Sequence, residues 1–332
     1  DPFLRRTVAI KEPKRRFAGD TSFLKAFVRE GQIVAQFDHP NILKMYTAGN
    51  ADQNFESEDA ELPYLVMEWG HESIHQQLRD RKRFDEGEVL DIGVNVCRAL
   101  EYAHTMPEKI VHRDIKPKNL LINEKNVLKV CDFGLATACT KSDSYQTSPE
   151  LLGTPEYMAP EIWDYQDADE RSDIYSLGIT LYQLLCGSPP FTDGERMNLG
   201  VMPTKHLHEP VPHLPDASPA LNSLIQIATA KEKVNRYQSA SEMLAALEYL
   251  LIPGKRLQTS ESDAMQKRLM AYIELEKEAS LKRLEALQDI EKDIKEGPIS
   301  PTEILNKLGN PGQSPFIDSP VPADIAAHES PI

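Results

Sequence analysis

VHRDIKPKNLLINEKNVLKVCDFG, residues 111–134, decides how the rest of the chain reads. It sets His112-Arg113-Asp114 and Asn119 in one loop and Asp132-Phe133-Gly134 a short distance on, with two apolar runs between them. Those runs, 120–122 and 127–130, flank an Asn-rich turn at 123–126 and predict a β-hairpin. A hairpin returns its outer ends to one place, so Asp114 and Asp132 are expected on the same side of one cleft. Two carboxylates and an amide oxygen so arranged suit phosphoryl transfer. One carboxylate orients the attacking hydroxyl and takes its proton, while the other, with the amide oxygen, holds Mg²⁺ against the phosphates. A lone aspartate in a loop is ordinarily just solvated, but this combination is too specific for a surface loop.

The set resembles the eukaryotic-type (Hanks-type) protein kinases, over residues 1–252. The resemblance implies an α+β, two-lobed kinase fold, with a small β-rich amino-terminal lobe over residues 1–70 and a larger helical lobe over 71–253. It implies ATP and Mg²⁺, with Mn²⁺ as a substitute. Asp114 becomes the catalytic base, and Asn119 and Asp132 the metal ligands. Lys116, within HRDIKPKN, is similar to the lysine of the serine/threonine branch that touches the transferred phosphate, and Thr154, in GTPEYMAPE, to the threonine that packs against the base. Asp173, in SDIYSLG, is similar to the aspartate that braces the catalytic loop, and Arg236 to the arginine that pairs with the glutamate of Ala-Pro-Glu, here Glu161.

Upstream, Val8-Ala9-Ile10-Lys11 has a strand pattern, and residues 22–37 carry apolar positions Phe23, Phe27, Ile33, Val34 and Phe37 at helical spacing. By the resemblance Lys11 holds the α and β phosphates and Glu30 pairs with it. Only DPFLRRT precedes this strand, so the family's glycine-rich loop is absent from the sequence. That departure puts the roof of a nucleotide site in doubt. Two further strands are expected at 44–48 and 63–68, joined by an exposed acidic loop at 50–61. Met67 resembles the gatekeeper of the adenine pocket, a place equally open to an ordinary core methionine. Glu68, Trp69 and Gly70 resemble the hinge, and Cys131 would lie on the pocket floor, a position that also suits a small buried hydrophobe.

Downstream, Asp85 with Glu88 makes a capping box ahead of an apolar stripe at Val89, Ile92, Val96, Leu100 and Ala103. The segment 135–161 resembles an activation segment. Its middle, 140–148, is rich in hydroxyls, with Thr147 the leading and Ser144 the second expected phosphorylation site; Arg113 is the residue that would grip the phosphate. A strongly apolar helix is expected to begin at Asp173 and to be stopped by the prolines of Gly-Ser-Pro-Pro-Phe, 187–191. His206, His208 and His213 follow without carboxylate or cysteine spacing that would support a metal site. Ser218-Pro219 caps a helix to about residue 230, and Ser239 with Glu242 caps another to about 252.

Lys plus Arg number 37 against 52 Asp plus Glu, a formal charge of -15, which argues against a nucleic-acid surface. The basic run at Arg79, Arg81, Lys82 and Arg83 reads as a solvated helix end. The four cysteines have no paired spacing and no run of apolar residues suffices for a membrane span, so a soluble cytoplasmic protein without a membrane partner is expected. Past Pro253-Gly254, residues 254–296 predict a helical extension and 297–332 a disordered tail with one short helix to Leu308. Residues 260–308 would dock on the kinase body or on a partner protein. The function expected is transfer of phosphate from ATP to serine or threonine of protein substrates. The alternative is a catalytically impaired signalling scaffold working through the extension. A genuinely missing glycine-rich loop would favour the scaffold, and the set of Lys11, Asp114, Asn119 and Asp132 favours the enzyme.

Overall fold

A computed structural model describes residues 5–14, 20–49, 62–133, 154–192 and 200–251. The chain divides into two units, Asp1–Gln266 and Lys267–Ile332, and every described residue belongs to the first. The expectations for the acidic loop at 50–61, for Ser144 and Thr147, and for the extension and tail therefore lie outside the described residues.

The first layer is a three-stranded antiparallel sheet of β1 (Val8–Lys11), β2 (Met45–Gly49) and β3 (Tyr64–Glu68), in the order β1-β3-β2. Its register sets Ala9 opposite Met67 and Lys11 opposite Leu65. Helix α1 (Thr21–Val34) connects β1 to β2, and Asp20 caps it by accepting from the Phe23 amide. It stops short of the predicted residue 37 because the Gln36 and Phe37 amides bond only three residues back, to Ile33 and Val34, which tightens the chain out of the α-helix. Phe37 nevertheless reaches the core, 5% exposed, as the stripe requires.

A second antiparallel sheet runs β4 (Gly70–Ser73), β5 (Leu120–Asn123) and β6 (Leu128–Val130). The β5–β6 pair is the predicted hairpin, with Leu121 opposite Lys129. The chain after α1 is stitched to it, since the Val130 amide donates to Asn41 O and the Leu43 amide to Val130 O. The Asn41 side chain adds bonds to Leu128 O and to Asn95.

The remaining body is helical: α2 (Ile74–Arg81), α3 (Glu86–Thr105), α4 (Pro160–Trp163), α5 (Glu170–Cys186), α6 (Met202–His208), α7 (Pro219–Ala228) and α8 (Ala240–Leu251). Two of the predicted starts follow the local chemistry closely. Asp85 and Glu88 form the capping box of α3, whose predicted stripe is buried, and Ser218 caps α7 ahead of Pro219. The basic residues Arg79 and Arg81 fall in the last turn of α2, where cations suit the carbonyl end of the helix dipole.

Two sequence expectations for α5 are corrected. It begins at Glu170, not at Asp173: Asp169 is the cap, in a reciprocal pair with Ser172, which frees Asp173 for another partner. It ends on Gly187 rather than on the prolines. Gly187 is left-handed, with φ 97°, and its amide closes the last turn onto Gln183 O. A Cβ there would lie 2.7 Å from Lys82 O, so glycine is needed on both counts. Helix α5 is buried on all sides over most of its length, as an apolar helix at the centre of a large body must be.

Candidate active site

Lys11, at the end of β1, is the meeting point of two carboxylates. Its Nζ lies 2.9 Å from Oε1 of Glu30 in α1 and 2.8 Å from Oδ1 of Asp132, just past β6. Burial alone would depress the Lys11 pKa, but Asp132 and Glu30 outweigh it and raise it, so the amine stays an ammonium. A cavity of about 20 Å³ opens beside this cluster, bordered also by Met45, Met67, Cys131 and Phe133. Met67 and Cys131, expected at an adenine pocket, both border this small cavity. The thiol of Cys131 is 9% exposed and burial pushes its pKa well up, which makes it an inert packing group rather than a nucleophile.

The second cluster centres on Asp114. Its Oδ2 accepts from Lys116 Nζ at 2.5 Å and from Asn119 Nδ2 at 2.9 Å. Its Oδ1 accepts from the Thr154 hydroxyl at 2.8 Å and the Thr154 amide at 3.2 Å. Lys116 also donates to the Thr154 hydroxyl, tying the three side chains together. Asn119 gives a further bond to Asp114 O, so its amide nitrogen is committed and its carbonyl oxygen is the group left for other work. The carboxylate is thereby locked in one orientation.

The two clusters are joined through the hairpin and through His112. The Cys131 amide donates to Asn119 O, and His112 Nε2 bonds to Cys131 O at 2.9 Å. The Phe133 ring packs edge-on to His112 and to Phe37. Arg113 and Asp132 both have left-handed backbones, φ 65° and 63°, a strained conformation for residues with a Cβ that the surrounding bonds must hold.

Asp173 supplies much of that hold. Fully buried in α5, it accepts from the His112 amide at 2.8 Å, the Arg113 amide at 2.7 Å and His104 Nε2 at 2.8 Å. Burial on its own would raise its pKa, but the bonds and the neighbouring histidines lower it and keep it a carboxylate. Farther out, Glu161 of α4 and Arg236 form a doubly bonded pair, 3% and 0% exposed.

The hinge residues divide. Trp69 is 40% exposed, and Gly70 approaches Leu121 so closely that a Cβ would lie 2.5 Å from it. Glu68 turns its carboxylate away to Asn123, Lys129 and the Lys44 amide. A larger cavity, about 340 Å³, is lined by Phe37, His39, Ile42, Lys44, Tyr46, Glu68 and Lys129, and of the predicted site residues only Glu68 touches it. Size alone does not mark the chemistry here, because the convergent charged groups lie at the smaller cavity. The sequence reading missed His104, Lys129 and Gln183, whose Oε1 accepts from the Tyr157 hydroxyl at 2.6 Å. No local pattern singles them out, since their partners lie 26 to 69 residues away.

A model of the protein kinase domain matches residues 4–249. Among curated proteins, the chain is 33% identical to a probable serine/threonine-protein kinase PknB of Bifidobacterium longum, over 96% of this chain and 45% of that protein. It is 36% identical to the serine/threonine-protein kinase PknB of Mycobacterium leprae and 37% identical to that of Mycolicibacterium smegmatis, each over 74% of this chain and 39% of the relative. The chain therefore spans less than half the length of these relatives. Among its described residues no helix is long and apolar enough to cross a membrane. With its match running through both sheets and into the last helix, the chain belongs to the protein kinase domain family.

Proposed function

We propose that this chain transfers the γ-phosphate of ATP to serine or threonine hydroxyls of proteins. The observation that carries the reading is the Asp114 carboxylate, fixed by Lys116, Asn119 and Thr154 and linked through one hairpin to the Lys11, Glu30 and Asp132 cluster. This intact set favours an enzyme over a scaffold.

In this reading Lys11 binds the α and β phosphates, and Glu30 keeps its ammonium aimed into the cleft. The phosphates compete with Asp132 for that ammonium. Asp114 orients the acceptor hydroxyl and takes its proton, and Lys116 offsets charge on the transferred group while its bond to Asp114 holds the base in place. Thr154 fixes the Asp114 rotamer. Met67 shapes the adenine pocket, whose edge would bond the backbone of Glu68 and Gly70, with Trp69 at its mouth. The donor set fits Mg²⁺ or Mn²⁺: Asn119 has only its carbonyl oxygen uncommitted, and Asp132 brings a carboxylate that is partly exposed, both hard oxygen ligands. When bound, the ion neutralises charge between phosphate oxygens. The hydroxyl-rich composition of 140–148 and the position of Arg113 beside the base support control by phosphorylation at Thr147 and then Ser144. Mass spectrometry after incubation with Mg·ATP tests this, and an unmodified segment in a fully active enzyme would remove the switch.

The deciding experiment is turnover of radiolabelled ATP by the complete protein. Asp114→Asn is expected to lower transfer by about 10²–10⁴-fold with Mg·ATP affinity largely kept. Asp132→Asn is expected to lose both transfer and affinity. Near wild-type turnover in either variant overturns the assignment.

A further inference from the structure

The side chain of Glu68 has no part in the chemistry described above, yet it is among the most heavily bonded carboxylates in the structure. Its Oε1 accepts from Asn123 Nδ2 at 2.7 Å. Its Oε2 accepts from Lys129 Nζ at 3.0 Å and from the Lys44 amide at 3.2 Å. Its own amide donates to Lys44 O at 2.8 Å, so Glu68 and Lys44 are bonded in both directions. Lys129 is only 8% exposed, unusual for a lysine, and Glu68 is its carboxylate partner. Burial alone would raise the Glu68 pKa, and the bonds from Asn123 and Lys129 reverse this and lower it, so the group is held as an anion.

The partners lie on both sides of the cleft. Lys44 leads into β2 of the first sheet, whereas Asn123 ends β5 and Lys129 lies in β6. That hairpin starts just after Asn119 and ends two residues before Asp132, the two residues assigned to the metal. A cavity of about 340 Å³ runs along Glu68 and Lys129, so close packing does not fix these side chains from that direction and the bonds must do it.

We propose that the Glu68 carboxylate is a positioning group for the nucleotide: with Lys129 and Asn123 it straps the hinge to the metal-bearing hairpin and sets the adenine edge at a fixed distance from the phosphate-binding groups. The proposal rests on the phosphoryl-transfer reading and extends it to a side chain outside the reacting set. The strap coexists with the Lys11, Glu30 and Asp132 contacts, so it belongs to the engaged arrangement of the cleft, and loss of it loosens nucleotide binding.

The test compares Glu68→Gln, Lys129→Met and the double variant in the complete protein, with thermal stability, Mg·ATP affinity by calorimetry, and the KM for ATP each recorded. Glu68→Gln strands the Lys129 ammonium in a buried place and so lowers stability, while the double variant removes that stranded charge and recovers most of it. Nucleotide binding should not follow. Both Glu68→Gln and the double variant are expected to raise the KM for ATP about fivefold, as loss of about one ordinary hydrogen bond would, with a smaller effect on kcat. Recovery of ATP affinity together with stability in the double variant would reduce the carboxylate to a folding role and overturn the proposal. An unchanged or lowered KM in Glu68→Gln overturns it equally. A wild-type protein that binds no Mg·ATP overturns the phosphoryl-transfer reading and this inference with it.

Discussion

Arg236→Met removes a fully satisfied buried cation. The guanidinium offers five N–H donors, and each has an acceptor: Nε bonds Ala230 O at 2.7 Å, the first terminal nitrogen bonds Glu161 Oε1 at 2.9 Å and Arg171 O at 3.0 Å, and the second bonds Glu161 Oε2 at 2.7 Å and Lys231 O at 2.9 Å. The side chain is 0% exposed and that of Glu161 is 3% exposed. In Arg236→Met the Glu161 carboxylate keeps the Ser172 hydroxyl at 2.6 Å but loses its counter-ion in a dry place, and three carbonyls lose their donor. Breaking such a pair costs about 3–5 kcal/mol, a large share of a domain stability of about 5–15 kcal/mol. For a body of this size that is a fall in Tm of about 6–20 °C. Urea unfolding is the assay, read as a lower midpoint at unchanged slope. Glu161→Gln with Arg236→Met should cost less than the two single changes added, because neither charge is left stranded. A loss under about 1 kcal/mol for Arg236→Met, as for an exposed pair, would refute the reasoning.

Asp173→Asn keeps the size of the side chain but can no longer accept from the His112 and Arg113 amides and from His104 together. We expect a stability loss of about 2–3 kcal/mol and a fall in kcat larger than any change in the KM for ATP, measured by melting and steady-state kinetics, because the strained catalytic loop loses its brace. Lys231 gives a pH signature. Burial first, and then the Arg236 charge, lower its pKa from 10.5 to about 7, so between these values the unfolded chain binds a proton that the folded one does not. Stability from this group therefore rises as pH climbs from about 7 towards 10, and its full cost is felt below 7. Lys231→Met, which keeps an apolar stem over the Tyr175 and Phe191 rings, should melt higher at pH 7 and show a flatter pH profile in the same scan. His206 adds an acid limb. Burial lowers its pKa to about 3, so its contribution is intact above about 6.5 and is lost as pH falls towards 3, a limb that His206→Gln should shrink in acid melts.

What could be read from the sequence was what local chemistry decides. The hairpin 120–130, the caps at Asp85, Ser218 and Ser239, and the apolar stripes all rest on neighbours within a few residues, and they fold where the pattern sets them. The Lys11, Glu30, Asp114, Asn119 and Asp132 set came from the resemblance to the kinase family, and the structure brings Lys11, Glu30 and Asp132 together at one point and Asp114 and Asn119 together at another. The errors came where two local signals competed. Asp173 was expected to begin α5 because an acid often stands at the start of an apolar helix, but Asp169, paired with Ser172, caps the helix four residues earlier. The proline pair after α5 looked like its stop, yet Gly187 ends the helix first by turning left-handed. The Glu68, Asn123 and Lys129 contacts could not be found in this way, since no periodicity links residues 55 and more positions apart.

The polar residues of α5 belong to one arrangement. Helix α5 is apolar enough to be buried on all sides, and a helix so placed can afford few polar side chains unless each meets a partner. Its polar groups do. Ser172 bonds Glu161, Asp173 bonds the His112 and Arg113 amides, Ser176 bonds Tyr157 O, Thr180 reaches Ile115 O at 3.3 Å, and Gln183 accepts from the Tyr157 hydroxyl. Three of these partners, Arg113, His112 and Ile115, lie in the loop that carries Asp114, and Tyr157 and Glu161 lie in the segment that follows Thr154. A single helix therefore fixes both the loop that carries Asp114 and the residues that follow Thr154.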